Sequence, residues 1–137
     1  MLTLYEQLEQ LADDLGIHIR RMKIHGLKGA AMTIDGVTGI VVAPKISEPE
    51  AVVTLAEELG HVMTSVGDSA TGKMDGRTEE RALRRAADLL LPDPVMERVL
   101  EDHLENIWEI SETLGLTETF VRFALQNYLR KVGSPYA

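Results

Sequence analysis

Residues 47–66 constrain the fold more than any other part of this chain. Ser47-Glu48-Pro49-Glu50 forms a capping box: a Ser cap, Glu three residues on, and Pro in the first turn. Behind it Val52, Leu55, Ala56, Leu59, Val62 and Met63 recur at helical spacing. A helix over about 48–66 follows, with an apolar face that other elements must cover. The chain has no cysteine, so neither disulfides nor thiolate metal sites are available to hold those elements in place. The core must do so, and 137 residues with 45% hydrophobic content are enough for one domain with a real core.

The elements around that helix can be read from local signals. Leu4, Leu8, Leu11, Ala12 and Leu15 predict an amphipathic N-terminal helix over 3–15, stopped at Gly16. Ile17–Ile24, Ala30–Ile34 and Gly39–Ala43 read as short strands. Asp35-Gly36-Val37-Thr38 forms the turn between the second and third. The expectation is a small antiparallel sheet of about three strands. After a polar, Gly-rich loop over 67–76, a second long helix is predicted over 77–91 and closed by Pro92-Asp93-Pro94. The tail, 95–131, reads as two or three short helices broken near Gly115-Leu116-Thr117. The fold class expected is therefore α+β, a small sheet packed with a helical bundle. A core is expected over 1–94 and a helical C-terminal subdomain over 95–137.

The central helix carries the chemistry. A helix bearing His-Glu-x-x-His binds zinc through its two His and uses the Glu as general base. Here the register reads Glu57-Glu58-Leu59-Gly60-His61, with a carboxylate at the first ligand position. Glu57 and His61, four apart, point the same way and can meet one ion, and Glu58 can reach a water on it. A third ligand must come from elsewhere. On the second long helix Glu79 falls near the middle of the stripe made by Ala82, Leu83, Ala86, Leu89 and Leu90, whereas Glu80 lies toward its edge. A carboxylate there needs a partner, either an ion or Arg84 or Arg85. On periodicity alone, Glu57, Glu58 and His61 also fit a solvated acidic face lying opposite the apolar one.

The longer text resembles a known family. LAEELGHVMTSVGD, followed after the loop by EERALRRAADLLLP, is similar to the ImmA/IrrE metallopeptidases. The likeness is to the branch found in phages and mobile elements of Gram-positive bacteria, and it extends to GAAMTIDG and LGLTETFVRFALQNYLRK. It implies a zincin-like metal helix and a divalent metal, zinc first. The implied substrate or partner is a repressor-like protein, and the implied setting is the cytoplasm. By motif, His61 matches a metal-binding His, Glu58 the general base and Glu79 the downstream acidic ligand. Glu57 takes the place of the first His, and Val62 stands where the branch often has a second His. Two carboxylate ligands would make a bound ion a poorer Lewis acid and loosen the preference for zinc over manganese.

Two other functions need weighing. One is a catalytically silent binding module of the same fold that contacts a regulator. The other is a DNA-binding regulator, because residues 107–131 have helix-turn-helix character with Thr117 as a cap and Phe120, Phe123 and Ala124 as a buried face. Against DNA stand the net charge of −8 and Glu118 at the end of the helix that would approach it. No apolar run spans a bilayer, and the acidic N-terminus is unlike a signal peptide. His18, His25 and His103 have no partner at ligand spacing and read as surface or packing residues. Arg77 and Arg81 are expected to pair with local Glu, and Trp108, the one Trp, is expected in the core.

Overall fold

The computed structural model describes residues 1–64, 76–102 and 106–133. Apart from Gly76, the loop expected over 67–76 lies outside the described residues, and so does His103. In chain order the elements are α1 (Leu4–Asp14), β1 (His18–Arg21), β2 (Gly29–Ile34), β3 (Val37–Val42), α2 (Glu48–Thr64), α3 (Gly76–Leu90), α4 (Asp93–Glu101), α5 (Ile107–Leu114) and α6 (Glu118–Val132).

Local chemistry sets most of their ends. At the start of α1 the Thr3 hydroxyl accepts from the Glu6 N–H at 3.1 Å, and the Glu6 carboxylate accepts from the Thr3 N–H at 2.9 Å. At α2 the Glu50 N–H donates to the Ser47 hydroxyl at 3.2 Å. The expected box is only half made, because the Glu50 carboxylate takes the Ser47 hydroxyl at 3.2 Å and is drawn to Lys28 at 2.7 Å. Asn106 and Thr117 cap α5 and α6 through their side chains, and between them Gly115 ends α5 with φ +70°. Asp35 and Gly36 both have positive φ (51° and 82°). That is the geometry a two-residue hairpin turn needs, and it sets Ile34 opposite Val37.

The sheet differs from the antiparallel one expected. β3 lies in the centre, paired antiparallel to β2 and parallel to β1, in the order β1-β3-β2. The hairpin accounts for β2 and β3. β1 is too polar for a central place, and it aligns His18 with Gly39 along the opposite edge of β3. Ile40 and Val42 of β3 then face the core and are fully buried.

Helix α2 runs through the middle, between the sheet and α1 on one side and α3 on the other. It buries the predicted residues Val52, Leu55, Ala56 and Leu59, and also Val53, Gly60 and His61. The solvated-face alternative fails for His61, which is buried under α3, whereas Glu57 and Glu58 remain half-buried. Gly60 makes this approach possible, since a Cβ there would run into the backbone oxygen of Ala82. One buried cluster takes side chains from α1, the sheet, α2, α3 and the C-terminal helices. Trp108 is not part of it and is 59% exposed. On α5 the inward face is Ile107, Ile110 and Leu114, and Trp108 sits about 200° around the helix from Ile110.

Candidate metal and active site

The packing of α2 on α3 brings two of the sequence-predicted residues, His61 and Glu79, into contact. With Gly60 opposite Ala82 and His61 opposite Glu79, the two helices run antiparallel at this point. His61 is buried at 8% exposure. Its Nε2 lies 3.4 Å from Oε1 of Glu79. Glu80 turns away and holds Arg84 at 2.8 Å. The arginine pairing considered for Glu79 therefore goes to its neighbour. One expectation about Glu79 needs correcting. It is not in the middle of a core-facing stripe, because its side chain is 49% exposed. It shares the face of Ala82 and Ala86 but stands in the first turn of α3, where the core has given way to an open cleft.

Glu57 and Glu58 line that cleft, whose volume is about 960 Å³. Both are half-buried. Oε2 of Glu58 is fully buried, with no hydrogen-bond partner among the described residues. Burial, then the charges of Glu57 and Glu79, push the Glu58 carboxyl up to about 7. Burial and the charge of Glu79 also raise the Glu57 carboxyl, with Lys28 opposing them. A carboxyl near 7 is poised to accept and return a proton at neutral pH.

Two glycines shape the site. A Cβ on Gly29 would strike the Thr54 methyl and meet Cγ of Glu58 at 3.4 Å. The start of β2 can therefore lie this close to Thr54, one turn before Glu58 on α2, because Gly29 has no side chain. Gly60 sets the spacing between His61 and Glu79 in the same way. Neither was singled out in the sequence, although a Gly inside a strongly apolar helix is a packing signal that could have found Gly60. The far wall of the cleft was missed as well: Thr117, the cap of α6, and Thr119, Phe120 and Phe123 of α6 line it. His18 and His25 are exposed, as is Arg81.

Among the described residues, no three His, Cys, Asp or Glu side chains stand in a ready-made metal cage. The donor chemistry nevertheless fits a divalent ion. An imidazole and a carboxylate already face each other, and a second carboxylate is raised by burial and then by the charge of the first. The buried Glu58 oxygen beside them also lacks a donor. A cation is the partner that relieves all three conditions.

The model of the IrrE N-terminal-like domain, Peptidase_M78, matches residues 12–126. The chain belongs to this family. No curated protein matches it. Membership in Peptidase_M78 suggests a metallopeptidase-type fold, and the match takes in every residue that lines the cleft. The ImmA/IrrE likeness read from LAEELGH and its surroundings is thus a family relationship. No described helix of this Peptidase_M78 chain is long and apolar enough to cross a membrane.

Proposed function

We propose that this chain is a metal-dependent endopeptidase that cleaves a regulatory, repressor-like protein inside the cell. In this reading it comes from the phage or mobile-element branch of its family. One observation carries the proposal. A general-base candidate, Glu58, has a carboxyl near 7 and a buried oxygen with no partner among the described residues, and it sits in a cleft beside a facing His61 and Glu79.

Glu57, His61 and Glu79 would hold the ion, zinc first. When bound, it would supply Lewis-acid polarisation of a peptide carbonyl and of a water molecule. The chain's own work is then proton handling and positioning. Glu58 takes the proton of the attacking water at its carboxylate and returns it to the leaving amine. Gly29 lets the β2 backbone approach α2 at Thr54, and Gly60 keeps His61 and Glu79 face to face.

A second reading has an observation of its own. Glu57 stands where the metal helix has its first His, and no three-ligand group is formed among the described residues. A silent binding module of the same fold would show both features. DNA binding through α6 has less support, since the first residues of that helix line the cleft and its next turns bury Phe120, Val121 and Ala124.

Bound metal, measured by elemental analysis after zinc or manganese loading, separates the first two readings. Near-stoichiometric metal that falls sharply in His61→Ala supports the peptidase. No metal under any loading sinks it and leaves the binding module.

A further inference from the structure

Helix α6 takes no part in the carboxylate chemistry, yet it closes one side of the cleft with Phe120 and Phe123. The other helices contribute apolar side chains to the same space. Val53 stands four residues before Glu57 on α2, and Leu83 stands four residues after Glu79 on α3. Because α2 and α3 run antiparallel here, both displacements carry the chain the same way along the cleft. Four residues of helix advance about 6 Å. Val53 therefore lies one turn beyond Glu57 on α2 and Leu83 one turn beyond Glu79 on α3, level with Glu57 across the helix pair, and with Phe120 and Phe123 they line one side of the cleft.

Leu83 and Phe123 are only half-buried, although both are large and apolar. Leu83 is not part of the main core cluster among the described residues. Their open surfaces face a cavity rather than a neighbouring element. An extended peptide advances about 3.3 Å per residue, so a side chain one or two residues from a bond held at Glu58 falls at this distance.

We infer that this pocket is a specificity subsite, which accepts one large aliphatic or aromatic side chain of an extended peptide next to the bond addressed by Glu58. The inference rests on the peptidase reading for the identity of that bond. Filling such a pocket discriminates roughly tenfold or more against a small side chain. α6 would thereby set sequence preference in a chain whose chemistry lies wholly on α2 and α3.

The test measures binding, so it does not depend on turnover. Two octapeptides of alanine and serine, each carrying fluorescein on the N-terminal amine and amidated at the C-terminus, differ only in a central leucine. Their binding to the full-length Glu58→Gln chain is followed by fluorescence anisotropy. The leucine peptide should bind roughly tenfold more tightly. Leu83→Gln and Phe123→Ala, each added to Glu58→Gln and checked for folding by circular dichroism, should erase the difference. Leu129→Gln, on an exposed part of α6, should keep it. Equal binding of the two peptides, no binding of either, or a preference that survives both pocket variants overturns the subsite. If the preference holds but the unmutated chain cleaves neither peptide nor any longer variant of them, the subsite stands and the peptidase reading fails.

Discussion

Glu58→Gln probes the electrostatics of the cleft without requiring catalysis. In the native chain, burial and the charges of Glu57 and Glu79 carry the Glu58 carboxyl from an ordinary 4.5 to about 7. Each pH unit of such a displacement is worth about 1.4 kcal/mol. Ionising Glu58 in the folded, metal-free chain therefore costs about 2 to 3 kcal/mol, the lower figure allowing for solvent at the cleft mouth. Below pH 4.5 the group is protonated whether the chain is folded or not, and stability is unaffected. Between 4.5 and about 7 the folded chain keeps a proton that the unfolded chain has released, so native stability falls as the pH rises. Gln is nearly the same shape as the protonated Glu and does not titrate. In urea unfolding with chelator present, followed by circular dichroism, the variant should match the native chain closely near pH 4.5. It should exceed it by about 2 to 3 kcal/mol at pH 8. A gap that does not change with pH, or no gap at pH 8, would refute the picture of an ionised carboxylate held against its neighbours.

Two further substitutions test the packing that builds the site. Gly60→Ala gains about 1 kcal/mol of helix propensity but forces a methyl into the Ala82 backbone. A net loss of about 1 to 3 kcal/mol in urea unfolding is expected, together with weaker metal binding as Glu79 is pushed from His61. Unchanged stability would mean that α2 and α3 are farther apart than described. Trp108→Ala should shift stability by no more than about 0.5 kcal/mol, because the ring is exposed. A loss of several kcal/mol would restore it to the core.

Signals acting over a few residues were legible in the sequence. Ser47 and Thr117 start their helices through side-chain oxygens within three residues of themselves. Asp35-Gly36 makes its turn because both residues tolerate positive φ. The apolar spacing of α2 gave its buried face, and the i, i+4 spacing put Glu57 and His61 on one side of it. Where a reading failed, the deciding contact was remote. β1 pairs parallel to β3 because the chain between β1 and β2 crosses to the far edge, and no residue in β1 announces that. Trp108 was misread because one aromatic side chain says little about which face of a short helix turns inward.

Residue types and spacings alone determined what this chain can offer a metal ion or a proton: carboxylates at Glu57, Glu58 and Glu79 and an imidazole at His61. Those properties are covalent, or belong to one helix, and hold whatever surrounds them. Tertiary structure decided which of them meet and with what strength. The close approach at Gly60 sets Glu79 against His61, and burial raises Glu58. The arrival of α6 from the far end of the chain turns an open groove into a walled cleft. Such effects depend on distances across the fold and on how much water is excluded, and neither quantity is a property of any single stretch of sequence.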